Sequence, residues 1–437
     1  MTDDTRIDKA TLDWGARDNE RPAPRSVVFD DIYFSEDGHA ETAHVFLAAN
    51  NLPQRFETSR NFAIGELGFG TGLNFLAAWD LWRRAKKPAA ARLHFLSVEA
   101  FPFTREDLRK AHRAWPALGD LSQQLIAAYP PPHRGFHQLT FDDGVTLTLY
   151  LGDAREGLAG AEAQIDAWFF DGFAPDRNPA MWSPEIFSEV ARLSAPGATF
   201  GTFTVAGAVR RALTSAGFAP QKRPGFGRKR DMLAGSLKQP SDTTNIRAAW
   251  FNTRPAAPLN TTARIAIIGA GIAGASLAYA LNALGLAPVV YEAEAPASGA
   301  SGNPAGLVMP RLDVDTTPTA HYFAHAYLHT IRLLNKLQQD APAPLFNACG
   351  CAFARPMITT RRATKNAWRW PPCLMAGLKR QARTCTSPRP AWLTRQRLSA
   401  PCSAPRRCAR QKSSGSTTKT ANGAPKTPTA ITMFSTR

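Results

Sequence analysis

Apolar and polar positions along this chain change period several times, and each change marks an element. Short apolar runs occupy 62–67, 93–99, 146–151, 167–171 and 199–204. Such runs, separated by longer stretches with helical spacing, predict strands of a doubly wound α/β sheet over 61–237. The segment 75–82 reads as an apolar helix directly after the first strand. Between 238 and 263 Pro, Thr and Asn dominate, as in a linker. A second strand–turn–helix opens at Arg264. No charge occurs over the 26 residues from 265 to 290, a length that spans a bilayer. Gly269, Gly271, Gly274, Gly285 and Pro288 break that run into strand, helix and strand, so no membrane span is expected.

The first strand runs into Ile64-Gly-Glu-Leu-Gly-Phe-Gly-Thr-Gly-Leu-Asn74. Its glycines Gly68, Gly70 and Gly72 have the spacing GxGxG, whereas a dinucleotide turn places its third glycine where Leu73 stands. Glycine is required where the backbone turns sharply and approaches a ligand. Glu66, at the strand's end, is placed to accept from the ammonium of a methionine moiety. The second strand ends in Ser97-Val-Glu99, 31 residues after Gly68, where an acid accepts from both hydroxyls of a ribose. The third ends in Leu151-Gly-Asp153, whose carboxylate is available to an adenine amino group. Three acids at three successive strand ends point to S-adenosylmethionine.

The fourth strand delivers Asp171-Gly-Phe-Ala-Pro-Asp-Arg-Asn-Pro-Ala-Met-Trp182 at the sheet edge where open α/β folds bind ligands. Methyl transfer to nitrogen needs a neutral, desolvated amine aimed in line at the donor. Asp171 is the candidate to orient an amine and take its proton, and an N-cap is its structural alternative. Phe173, Pro175 and Trp182 are candidate substrate contacts, the two rings stacking on a base, with core packing as the alternative for Trp182. Gln221-Lys-Arg-Pro-Gly-Phe-Gly-Arg-Lys-Arg230 carries Lys222, Arg223, Arg228, Lys229 and Arg230 around glycine and an aromatic. That loop suits phosphate contacts, or is simply solvated.

Arg264-Ile-Ala-Ile-Ile-Gly-Ala-Gly-Ile-Ala-Gly274 is a complete strand–GxGxxG–helix, and Glu292 follows Gly269 by 23 residues. Gly269, Gly271, Gly274 and Glu292 thus make a dinucleotide-binding set. His321, His325 and His329 recur every four residues. No carboxylate or cysteine joins them at ligand spacing, so a polar helix face is expected and no metal.

Charge then divides the chain. The net charge is +17, yet residues 351–437 hold 18 Lys and Arg and no acid, leaving 34 bases against 35 acids before them. All six cysteines fall between 349 and 408, at spacings that fit neither zinc nor redox motifs. This tail is a basic arm for RNA phosphates or the out-of-frame reading of a GC-rich gene; the abrupt change at Gly350 favours the latter and a disordered tail. The polar start of the chain and the absence of a secretory pattern lead us to expect a cytoplasmic protein, and a monomer.

These residues together resemble the family of bifunctional tRNA 5-methylaminomethyl-2-thiouridine biosynthesis proteins. The resemblance rests on Phe29-Asp-Asp-Ile-Tyr-Phe-Ser35, Gly65 to Phe75, Ser97-Val-Glu99, Asp171-Gly-Phe-Ala-Pro175, Asn178-Pro179, Met181-Trp182 and the loop 222–230, and covers about residues 20–350. It implies a Rossmann-like methyltransferase domain (1–237) that methylates the aminomethyl group of a wobble 2-thiouridine in tRNA, with Asp171 catalytic. After the linker 238–263 it implies an FAD-binding oxidoreductase domain, which removes a carboxymethyl group from the same modification. Ser298-Gly-Ala-Ser-Gly-Asn-Pro-Ala-Gly306 resembles that family's flavin loop. Only 264–350 of the second domain is legible, so an incomplete FAD-binding domain without the flavin activity is expected, followed by the tail 351–437. Two rival functions stay open: a methyltransferase of a small amine or protein, and an RNA-binding protein acting through its tail.

Overall fold

Alternating side chains on the fourth predicted strand set the layers. Trp168 and Phe170 are buried in one core and Ala167 and Phe169 in the other, as a strand covered on both faces requires. The computed structural model describes residues 7–15, 23–239, 262–304, 306–309 and 317–347, and the backbone of 430–431. Two compact units form, one of 1–258 with 307–378 and the other of 259–306 with 379–437.

The first unit holds an eight-stranded sheet. Its strands are β1 (Asn61–Leu67), β2 (Arg92–Glu99), β3 (Gly135–Thr140), β4 (Val145–Leu151), β5 (Ile165–Phe170), β6 (Ser194–Thr202), β7 (Phe218–Pro224) and β8 (Asp231–Leu237), in the order β7-β8-β6-β5-β1-β2-β4-β3. The five central strands β6, β5, β1, β2 and β4 run parallel. β3 pairs antiparallel with β4, and β7 and β8 form an antiparallel pair beyond β6. The helices α1 (Leu73–Arg84), α2 (Arg105–His112) and α3 (Gly119–Ala128) contribute Trp79, Leu108 and Leu125 to one core. The helices α4 (Ala154–Gly160), α5 (Pro184–Leu193) and α6 (Gly207–Ser215) contribute Leu158, Phe187 and Leu213 to the other.

Sequence order reverses between β1 and β5, and such a switch point opens a crevice at the carboxyl ends of the strands. Gly68 leaves β1 on one side of it and Asp171 leaves β5 on the other. A Cβ on Gly68 would overlap the Asp171 carbonyl oxygen, and its φ of +88° lies in the left-handed region, so both reasons demand glycine.

The second unit contains β9 (Ala266–Ile268), α7 (Ile272–Ala283) and β10 (Val289–Tyr291), with β9 and β10 parallel and β11 (Ala430–Ile431) antiparallel to β10. The uncharged run 265–290 is therefore strand, helix and strand; among the described residues no helix is long and apolar enough to cross a membrane. α8 (Pro318–Asp340) belongs to the first unit, although it follows the second in sequence. The contiguous division at 237 and 264 does not anticipate that return. The tail expected at 351–437 lies outside the described residues except for β11.

Candidate functional site: three carboxylates around a glycine turn

β1 ends at the buried Glu66, and α1 starts after Gly72, whose positive φ of 76° caps the helix. This puts Asn74 on the first turn of α1, facing back to the strand ends. Its amide nitrogen donates to Glu66 Oε1 at 3.0 Å and to Asp171 Oδ2 at 2.6 Å. Thr42 Oγ1 donates to Asn74 Oδ1 at 2.7 Å, which fixes the amide's orientation and sends both N–H bonds to the acids. Ser97 Oγ donates to Glu66 Oε2 at 2.6 Å. Burial pushes Glu66 well above the usual carboxylate range, against the Ser97 and Asn74 bonds, and the Asp171 charge adds to it. Asp171 is pushed up to about 7, first by burial; Asn74 and Lys229 oppose the rise, while Glu41 and Asp31 add to it.

Glu99, at the tip of β2, accepts from Gly70 N at 2.7 Å and from Phe101 N at 2.8 Å. Burial outweighs these amide bonds and raises it to about 7. Gly70 and Gly72 thus lie within one turn held between Glu99 and the start of α1. Asp153 caps α4, its Oδ1 accepting from Arg155 N at 2.9 Å and Glu156 N at 3.2 Å. One of its oxygens is therefore committed to the helix. The neighbouring Gly152 N donates to Glu99 O at 2.9 Å, which keeps the two strand tips together.

The substrate side differs in part from the expectation. Phe173 stacks on Phe29 at 4.7 Å between centroids and meets Tyr33 edge-on at 5.0 Å. Asp31 accepts from Ala174 N at 3.1 Å and holds the loop that carries Pro175. Of the two readings of Trp182, base stacking and core packing, the structure supports the second: it is 6% exposed, lies in the second core and donates Nε1 to Phe173 O at 2.9 Å. A ring so enclosed has no face for a base and instead positions the loop. Lys222 and Arg223 belong to β7 rather than to a loop. Lys222 pairs with Asp231 at 3.1 Å on the surface, while Arg223, Arg228 and Arg230 are exposed around the turn to β8. Lys229 pairs with Glu41 at 3.3 Å and stands 4.1 Å over the Phe203 ring, so the hairpin reaches the mouth of the site.

Asn74, Ser97, Phe29, Asp31 and Tyr33 were not among the expected site residues. The signals were present: Asn74 closes the glycine motif, Ser97 stands in Ser97-Val-Glu99, and the other three fall in the Phe29–Ser35 segment.

In the second unit, Glu292 Oε2 accepts from Ala270 N at 2.7 Å and its Oε1 from Ala293 N at 2.8 Å. These amide bonds keep its carboxylate below the usual range. Gly269 has a φ of +95°, and a Cβ on Gly274 would overlap the Gly269 carbonyl oxygen. Ser301 Oγ accepts from Ile272 N at 2.9 Å. A cavity of about 480 Å³ lies between Gly271, Glu292 and the 297–301 loop.

Comparison with known proteins gives a methyltransferase match followed by an oxidoreductase match. Residues 116–238 match the family model described as S-adenosyl-L-methionine-dependent methyltransferase. Residues 264–404 match FAD dependent oxidoreductase, a match that passes the composition break at Gly350. The chain is similar to the tRNA 5-methylaminomethyl-2-thiouridine biosynthesis bifunctional proteins MnmC of Pseudomonas aeruginosa (45% identical over 379 residues; 85% of this chain, 56% of that protein), of Pseudomonas savastanoi pv. phaseolicola (46% over 350 residues; 78% and 52%) and of Marinomonas sp. (43% over 354 residues; 79% and 51%). Among solved structures, that of MNMC2 from Aquifex aeolicus covers 50% of this chain and 67% of its own, at 22% identity and a TM-score of 0.40. The chain spans about half the length of these curated relatives. At such identity over most of its own length, and with a methyltransferase and an FAD dependent oxidoreductase match in turn, the chain is similar to the tRNA 5-methylaminomethyl-2-thiouridine biosynthesis bifunctional proteins over about half of their length.

Proposed function

We propose that the first unit methylates the exocyclic amine of 5-aminomethyl-2-thiouridine in tRNA with S-adenosylmethionine, giving 5-methylaminomethyl-2-thiouridine. The observation that carries this reading is the pair of carboxylates, buried Glu66 and half-buried Asp171, joined by one amide of Asn74. Together with Glu99 they gather three acids whose ionised forms burial disfavours and a nearby cation would favour. A ligand bearing both an ammonium and a sulfonium completes such a site electrostatically, which is the fit expected of S-adenosylmethionine. When bound, that molecule supplies an electrophilic methyl group. Glu66 would hold its ammonium and Glu99 its ribose, with Asp153 at the adenine end.

The chain's own residues prepare the acceptor. An ammonium is no nucleophile, so the aminomethyl group must lose a proton at the site. Asp171, poised near 7, takes that proton at its carboxylate and holds the resulting amine by a hydrogen bond. Phe29, Tyr33 and Phe173 form an aromatic wall that limits water around that nitrogen. Arg223, Arg228 and Arg230 supply phosphate contacts around the mouth. The relatives' names, which specify a tRNA thiouridine, support this substrate.

For the second unit we propose that Gly269, Gly271, Gly274 and Glu292 form the nucleotide end of an FAD site, and that removal of the carboxymethyl group is lost in this chain. Ile268, Ile272 and Leu277 are 90%, 75% and 50% exposed, and the 18 cations of 351–437 lack any acid to offset them. Labelled-donor transfer by the full chain to tRNA with and without the aminomethyl group tests the first proposal. Label on the amine-bearing tRNA alone supports it; label only on free amines or proteins overturns it.

A further inference from the structure

By spacing alone the histidines of α8 have no ligand partners in the sequence. Folding changes this. Within the first unit, His325 meets His133, just before the edge strand β3, and His137 within it. One nitrogen from each ring lies within 4.8 Å of the others. His133 and His137 are buried, at 0% and 1% exposure. We propose that these three imidazoles form a binding site for a divalent transition cation of the zinc class, which clamps α8 onto β3.

Three observations carry this assignment. First, each ring has one nitrogen against a backbone carbonyl: His133 Nδ1 to Arg134 O at 3.0 Å, His325 Nε2 to the same oxygen at 2.9 Å, and His137 Nε2 to His133 O at 2.7 Å. A carbonyl only accepts, so each of these nitrogens carries the proton. In a neutral ring the second nitrogen then offers a lone pair. Metal-ligating histidines are oriented in this way, by donating the other N–H to a carbonyl or carboxylate. Second, His137 Nδ1 is buried without a hydrogen-bond partner, a cost that a ligand would remove. Third, the backbone makes room for the cluster: Gly135 has a φ of +119°, and a Cβ there would overlap the His325 ring.

Burial first, and then repulsion from neighbouring histidine charges and, for His137 and His325, Arg332, holds all three rings below the ordinary histidine range. Zinc–nitrogen bonds of about 2.0 Å in a tetrahedron bring ligand nitrogens to about 3.3 Å, a closure within the reach of side-chain rotation. The fourth position falls to water or to His321, one turn earlier on α8, whose ring centroid is 6.2 Å from that of His133. Arg332 lies close enough to lower His137 and His325 and opposes a bound cation, so the affinity expected is moderate.

The experiment is cobalt(II) and zinc(II) titration of the full chain after alkylation of its cysteines, all of which lie at 349 or beyond. We expect one equivalent bound, with the visible absorption of nitrogen-ligated cobalt and a raised melting temperature with zinc. His137→Asn and His325→Gln should each weaken binding at least about 100-fold, while His329→Gln should bind as the parent does. Absence of binding by the alkylated parent overturns the site, as does undiminished binding by both cluster variants. The parent titration decides even if a variant fails to fold.

Discussion

Replacing Asp171 by Asn separates catalysis from stability in a way that follows from its surroundings. The side chain keeps its shape, and its oxygen still accepts from Asn74, now 2.6 Å from Asp171 Oδ2. What disappears is a carboxylate that burial holds at about 7. An unfolded aspartate ionises near 3.9, and each tenfold change in proton affinity is worth about 1.36 kcal/mol, so ionised Asp171 costs the fold up to about 4 kcal/mol. Asp171 keeps some exposed surface, and solvent screening reduces this to about 2 kcal/mol. The sign is unusual for a carboxylate. Because the folded pKa is raised, the folded state binds more protons than the unfolded state between about pH 4 and 7, and stability is lost as pH rises through that window. The Asn variant lacks this loss. It should melt about 4–8 °C above the parent near pH 8, with the difference shrinking toward zero near pH 4. Its methyl-transfer rate to amine-bearing tRNA should fall about 100-fold or more, with donor affinity little changed. Calorimetry across pH and single-turnover transfer assays check both halves. A near-parental rate, or a variant less stable at high pH than at low pH relative to the parent, would refute the reasoning.

Other outcomes follow from the same geometry. Asn74→Ala removes the bond that lowers Asp171, so the midpoint of the pH–rate profile should move above the parent's value near 7, a shift that a merely structural defect would not produce. Glu99→Gln should weaken donor binding by about 10–100-fold in calorimetric titration, as expected for losing charge-assisted hydrogen bonds, with the rate at saturating donor largely kept. The combined change of Arg223, Arg228 and Arg230 to Ala should flatten the salt dependence of tRNA binding by about two to three in log–log slope, measured by filter binding. The purified full chain should show no flavin absorbance with turnover of carboxymethylaminomethyl-bearing tRNA; a yellow preparation active on that substrate contradicts the proposed loss.

Much of this site was legible because parallel strands leave a strong trace. Apolar runs and glycine turns fix where β1, β2, β4 and β5 end, and an acid at such an end faces the crevice by topology. Glu66, Glu99 and Asp171 are readable at such ends, and the structure places them around one glycine turn. Asn74 was not, since a neutral amide on a helix carries no charge signal and its role depends on Thr42, Glu66 and Asp171 meeting in space. For Trp182 stacking and core packing both stay open in the sequence, because an aromatic in a motif looks the same whether it faces solvent or the core. The histidine cluster was invisible for a different reason: His133 and His325 are far apart in sequence, and only the return of α8 to the first unit joins them.

The most direct test of the central claim is nucleoside mass analysis of tRNA carrying 5-aminomethyl-2-thiouridine after incubation with the full chain and S-adenosylmethionine. Conversion to the methylaminomethyl nucleoside is expected, at a rate proportional to enzyme and about 100-fold or more slower with the Asp171→Asn variant. Unchanged tRNA after exhaustive incubation, or a methyl group found at any other position, would contradict it.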